Sequence, residues 1–242
     1  MEKAESSSSA AAADLQALEI EGEVKANPMI SSATPPAILL EQYTLESGPG
    51  FVAGIESIAS SFDTMRKVRG DGNCFYRAFL FSYLEQLLAG LSSASDSDEE
   101  APAAGAAGGK VRAEAQAELA RMTALVDSSL ADLVAVGFSE IAVQSFQDML
   151  LELLEGLPTM TADGLLTLFQ EDGSGDYYTW YVRVLTAASL RANSERFLPF
   201  VTDERTLDMK TYVPCVCVCV CALSLSFSQC QCHSQCQSQC RR

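Results

Sequence analysis

Apolar residues recur at intervals of three and four through most of the chain, and that period predicts helices. From Phe51 to Phe62, the positions Val52, Ile55, Ile58, Ala59 and Phe62 mark one buried helical face. The run Cys74 to Leu88 has no breaker and is apolar nearly all round, so it reads as a buried helix with Cys74 at its N-terminus. Between Lys110 and Val136 an apolar stripe passes through Leu119, Met122, Leu125, Val126, Leu130, Leu133 and Val134, with Gly137 as C-cap. A further helix runs from Val143 through Phe146, Met149, Leu150, Leu153 and Leu154 to Gly156, stopped by Pro158. Thr161 caps a short helix carrying Leu165, Leu166 and Phe169. After Ser174-Gly175-Asp176 comes a strongly apolar helix with Tyr177, Trp180, Tyr181, Val184, Leu185 and Leu190, whose helical spacing points to core packing. Ser194 caps a last turn, Glu195 to Val201. No run up to Tyr212 reads as a central strand.

Composition divides the rest. Residues 1–50 mix Ser, Ala, Pro and Glu, with Pro35-Pro36 and Gly48-Pro49-Gly50 as breakers, and are expected to form a disordered acidic tail with one strand or short helix near Ile38-Leu39-Leu40. Residues 51–213 form one domain, interrupted at 90–109 by a Ser-rich, acidic and then Ala/Gly-rich segment expected to be a disordered insertion. Within it, Asp96 to Glu100 reads as a solvated acidic loop. Residues 214–242 are a Cys-rich tail of low complexity.

The length of 242 residues suits one domain with loose ends. Sixteen basic against 32 acidic residues give a net charge of -16, which repels phosphate backbones and anionic lipid, so no nucleic-acid partner is expected. No uninterrupted apolar run reaches the ~18 residues of a membrane span. Met1 to Asp14 lack the basic start and apolar stretch of a signal peptide, and a cytoplasmic or nuclear protein is expected. Eight of the nine cysteines lie between Cys215 and Cys240, leaving Cys74 alone in the body, as a reducing compartment allows.

As a strand, the tail would set Cys215, Cys217, Cys219 and Cys221 on one face, where thiolates suit soft metals. Structural zinc sites, however, take ligands at C-x₂₋₄-C spacing from separate loops, and C-x-C repeats do not offer that. The metal reading is therefore the minority one. Repeated Cys-Val is what alternating T and G encodes, and Leu-Ser-Leu-Ser-Phe-Ser-Gln is what a pyrimidine tract ending in CAG encodes. The tail therefore reads as intron sequence translated beyond an exon that ends near Val213.

The chemistry lies in Arg69-Gly70-Asp71-Gly72-Asn73-Cys74-Phe75-Tyr76-Arg77-Ala78-Phe79. A thiol at a helix N-terminus faces unpaired N–H groups and the positive end of the helix dipole, an environment that favours thiolate. Backbone N–H groups of the Asp71-Gly72 turn stand where they could meet an oxyanion. On these grounds alone a nucleophile and an inert buried cysteine remain equally open.

Gly70 to Ala78 resembles the signature of ovarian-tumour-domain cysteine proteases, and the flanks resemble the otubain branch. Further matches are Gly137-Phe138-Ser139-Glu140, Asp176-Tyr177 through Tyr181 to Thr186, and Phe197 to Val201; the likeness runs from about Phe51 to Thr211. It implies an α+β, papain-like fold, of which this chain holds mainly the helical part and lacks most of the sheet. It also implies a deubiquitinase that needs no cofactor, partnered by ubiquitin or polyubiquitin and by ubiquitin-conjugating enzymes. Cys74 takes the nucleophile position, and Asp71 the position whose backbone N–H helps form the oxyanion hole. Otubains place a general-base histidine on late strands, whereas this chain's single histidine, His233, stands in Cys232-His233-Ser234-Gln235 with no apolar strand around it. The expectation is an enzyme inactive as written, with a non-catalytic ubiquitin-binding protein as the alternative.

Overall fold

The structure, a computed structural model, describes residues 22, 25–43, 46, 48–93, 102–171 and 174–200. The first part of the expected acidic tail, the acidic loop of the insertion, the Cys-rich tail and His233 lie outside the described residues. The chain divides into two compact units, residues 1–74 and 75–242.

In the first unit, residues 29–34 run antiparallel to residues 65–69. Thr34 and Met65 exchange both backbone bonds (2.9 and 2.7 Å), Ser31 donates to the Lys67 carbonyl (2.8 Å), and Arg69 donates to that of Met29 (3.0 Å). Met29 and Ile30, themselves part of this pairing, are buried. Arg66 and Arg69 reinforce it, donating to the carbonyls of Ser31 (3.0 Å) and Asn27 (2.7 Å). The tail expected to reach residue 50 is thus corrected: its last part is held by backbone pairing, which needs no apolar pattern. The short-helix alternative near Ile38 holds, as a 3-10 turn over Pro36–Glu41. Helix α1, Pro49–Ser61, begins at one of the expected breakers, because proline at N1 gives up only an N–H that has no partner there. Of its predicted face only Ile55 is buried, while Ile58 and Phe62 are exposed.

Helix α2, Cys74–Ser92, opens the helical frame. It buries Arg77, Leu80, Phe81, Leu84, Leu87, Leu88 and Leu91, one face at intervals of three and four, and leaves Phe75 and Phe79 exposed. This corrects the expectation of burial all round: apolar composition does not report how many sides a helix has covered. Helix α3, Pro102–Ala135, starts inside the expected insertion. Its alanines favour helix enough to carry the accompanying glycines. The stripe expected to include Leu125 and Val134 is narrower, with both exposed and Ala115, Val126, Ser129 and Leu133 buried. Gly137, at φ 94°, ends α3 as predicted. Phe138 N–H donates to Leu133 O and Gly137 N–H to Val134 O, both at 3.0 Å, the two bonds of a Schellman cap.

Helix α4, Glu140–Gly156, runs into a 3-10 turn at Leu157–Thr159, and α5, Ala162–Gln170, is capped by Thr161 Oγ1 accepting from Gly164 N–H (3.0 Å). Helix α6, Ser174–Ala192, packs on α3, α4 and α5 and buries Tyr178, Tyr181, Val184, Ala187 and Ala188. Of the three aromatic residues expected in the core, Tyr181 is fully buried, Trp180 half-buried and Tyr177 exposed. The last turn, α7 (Ser194–Phe197), is preceded by Asn193 as its N-cap residue, rather than capped by Ser194.

Polar links cross this frame without leaving it dry of partners. Ser129 Oγ and the Tyr181 hydroxyl bond at 2.7 Å, and Gln147 Nε2 donates to the carbonyls of Val126 (2.7 Å) and Asp127 (3.0 Å). Burial raises the Tyr181 hydroxyl above its ordinary value, partly offset by the Ser129 bond. Phe169, fully buried, meets Phe81 of α2 (5.4 Å) and Tyr178 of α6 (5.8 Å). Among the described residues the β structure consists of isolated bridges, and the helical part of the expected fold is the part observed. No helix among them is long and apolar enough to cross a membrane.

At the surface, α2 and α3 are joined by a charged cluster. Arg121 donates twice to the Glu118 carboxylate (both 2.7 Å), and the Tyr83 hydroxyl donates to Glu118 Oε1. The Arg121 bonds first, and then that of Tyr83, hold the Glu118 carboxyl down from 4.5 to about 2. A carboxyl lowered in the folded state stabilises fully above its unfolded value and loses that stabilisation as pH falls through the folded one. The urea midpoints of wild type and Glu118→Gln should therefore differ at neutral pH and converge as pH falls from about 4.5 to 2. A gap that stays constant over that window would show that the carboxylate is not what joins the helices.

Candidate active site

The loop from Arg69 to Cys74 is built by short-range bonds. Asp71 Oδ1 accepts from Asn73 N–H at 3.0 Å, an Asx turn that sets the approach to α2. Gly72 sits within it at φ 86°, a conformation that strains any residue with a Cβ even though the space beside it is open. Asn73 is buried, and Cys74, half-buried with a free thiol, is the first residue of α2. Helical geometry leaves the first four N–H groups of α2 without carbonyls of their own helix to bond. Cys74 and Asp71, the two site residues read from the sequence, therefore share one tight turn.

The turn holds a bond that sequence reasoning did not foresee. The Asp71 backbone N–H, assigned to an oxyanion hole by resemblance, donates to the Arg69 carbonyl at 3.1 Å. Presenting it to a substrate requires that bond to break. The Asp71 carboxylate, meanwhile, is a structural element of the turn.

Sequence reasoning also passed over Arg77. It is fully buried, three residues after Cys74, and its Nη2 donates to Asp176 Oδ1 of α6 at 2.9 Å. The signal was there: one arginine in an apolar run requires an acid partner, and Asp176 opens the next strongly apolar helix. Beside it, the Arg183 guanidinium lies 5.9 Å from the centre of the Tyr76 ring. Among the described residues no cluster of three or more His, Cys, Asp or Glu could hold a metal ion.

A free thiol heads α2 behind a Gly-Asp-Gly-Asn turn, a geometry open to a thiol nucleophile and to an inert cysteine alike. The particular family follows from comparison: the profile Peptidase C65 Otubain matches residues 22–104 and 110–214, and the chain belongs to the otubain family. It is 28% identical over 196 residues to a ubiquitin thioesterase otubain-like protein of Caenorhabditis elegans, covering 80% of this chain and 60% of that protein. To ubiquitin thioesterase OTUB1 of Homo sapiens it is 31% identical over 182 residues, 75% of this chain and 58% of that protein. Among solved structures, it resembles a chain of a ceOTUB1–ubiquitin aldehyde–UBC13~Ub complex with TM-score 0.66 and 28% identity, over 82% of this chain and 70% of that one. A chain of an h/ceOTUB1–ubiquitin aldehyde–UBCH5B~Ub complex gives 0.67 and 27%, over 85% and 71%. The chain thus spans about three fifths of the length of the curated relatives it matches.

Proposed function

We propose that the chain is the nucleophile-bearing part of a cysteine-type deubiquitinase, which attacks the carbonyl at ubiquitin's C-terminus through Cys74. The observation that carries this reading is Cys74 as the first residue of α2, behind the Asx turn of Asp71 and Asn73. The names of the relatives, ubiquitin thioesterases, supply the substrate class, and the solved complexes supply ubiquitin-conjugating enzymes as further partners. In the reaction the Cys74 thiolate adds to the carbonyl carbon, and the Asp71 N–H, released from Arg69 O, meets the oxyanion. The tetrahedral adduct then expels the lysine amine, which must gain a proton. An imidazole is the usual donor. The only histidine of the sequence is His233, in the Cys/Gln/Ser tail. The chain as written accordingly captures ubiquitin electrophiles and turns over isopeptides poorly.

A second reading, a non-catalytic ubiquitin-binding protein, draws support from the Asp71 N–H being engaged by Arg69. Ubiquitin with an electrophile at its C-terminus separates the two, because a covalent trap needs no proton for a leaving amine. The expected result is one ubiquitin added per chain, mapped to Cys74 by peptide mass spectrometry. Binding without an adduct favours the second reading, and an adduct confined to the cysteines from Cys215 to Cys240 contradicts the assignment of Cys74 as nucleophile.

A further inference from the structure

Helix α6 reaches the first turn of α2 at two points. Asp176 binds Arg77 at 2.9 Å, and Arg183 lies over Tyr76 at 5.9 Å from the ring centre. Asp176 and Arg183 are seven residues apart, two turns and ~10.5 Å along one face of α6. Tyr76 and Arg77 are adjacent, directly after Cys74 and Phe75. The near end of α6 is itself fixed: a Cβ at Gly175 would come within 2.8 Å of the Phe169 carbonyl oxygen and 3.1 Å of its Cα, so the first turn of α6 rests on the backbone of α5.

Energetics argue that stability is not what this arrangement supplies. Burying a guanidinium costs free energy that its ion pair only partly returns, and apolar residues of similar size often serve as well or better. Around Arg77 the buried face of α2 is otherwise apolar, with Leu80, Phe81 and Leu84. What an ion pair adds over an apolar contact is direction. An apolar face lets a helix slide or roll by a fraction of a turn with little change in buried area. A two-point polar clamp, one point a directed charge-assisted hydrogen bond and the other set by a ring face, does not.

We propose that Asp176 and Arg183 clamp the first turn of α2 through Arg77 and Tyr76, and that Arg77 and Asp176 are positioning residues which set the direction of the Cys74 thiol. The inference deepens the reading of Cys74 as nucleophile and rests on it for its catalytic meaning, although the clamp itself can be tested without it.

The test uses the full 242-residue chain with Arg77→Met, Arg77→Lys and Asp176→Asn. Hydrogen exchange is followed in peptides covering residues 71–79 and, as an internal reference, 143–154. The clamp predicts exchange about tenfold or more faster over 71–79 in Arg77→Met and Asp176→Asn, with the reference unchanged and partial restoration in Arg77→Lys. Labelling of Cys74 by the ubiquitin electrophile should fall in the same order. Unchanged exchange over 71–79, or an equal rise in both regions, overturns the proposal. So does loss of the cooperative thermal transition in both Arg77→Met and Asp176→Asn, since the pair would then be a determinant of the fold. If wild type shows the exchange contrast against the variants yet takes no ubiquitin label, the clamp stands and the reading of Cys74 fails instead.

Discussion

Given an activated ubiquitin ester, the 242-residue chain should release one equivalent of leaving group per Cys74 in a rapid phase, while an isopeptide-linked di-ubiquitin is cleaved slower by roughly 10²–10⁴-fold than a base-assisted site would allow. The two substrates present the same carbonyl to the same thiol and differ in what departs. A good leaving group departs without a proton, whereas a lysine amine does not. The first step therefore needs what the structure holds, a thiol heading α2 beside a turn with backbone amides. The second needs an imidazole that no described residue provides, and His233→Ala should leave both rates unchanged. Measuring the ester phase by stopped flow and di-ubiquitin cleavage by gel gives the comparison. Efficient di-ubiquitin cleavage lost on His233→Ala would show that the tail completes the site.

Phe169→Ala should lower the unfolding free energy by about 3–5 kcal/mol, as measured by urea denaturation. The ring is fully buried and stands between α2 and α6, edge-on to Phe81 at 5.4 Å and tilted on Tyr178 at 5.8 Å. Removing it opens a cavity that cannot collapse easily, because the backbone of Phe169 already touches the first turn of α6. Phe169→Leu retains most of the volume and should cost about 1.5 kcal/mol or less. Equal losses for the two variants would place the ring outside the joint between the helices.

The helices were legible because a 3.6-residue period is local and needs no knowledge of the partner. Thr161 as an N-cap and Gly137 as a C-cap were legible for the same reason, since each acts on its own helix end. The pairing of residues 29–34 with 65–69 was not, because it is made by backbone groups of short segments more than 30 residues apart. Facing was read less well than helicity. Tyr177, Leu125 and Phe79 are apolar residues left exposed, and only their neighbours in space decide that. At the site, the head-of-helix position of Cys74 followed from the glycine turn before an unbroken apolar run. The bond from Asp71 N–H to Arg69 O did not, because it depends on φ and ψ within the turn, and composition carries no trace of those. Arg77 was hidden by its surroundings, a charge whose partner lies 99 residues away.

The most direct test of the account is a pair of measurements on Cys74→Ala set beside wild type: covalent capture of the ubiquitin electrophile, and a ubiquitin binding titration. The alanine removes the nucleophile without adding bulk. The account predicts that capture disappears while the binding constant stays within about twofold, a free-energy change below ~0.5 kcal/mol. Capture retained by Cys74→Ala would contradict it.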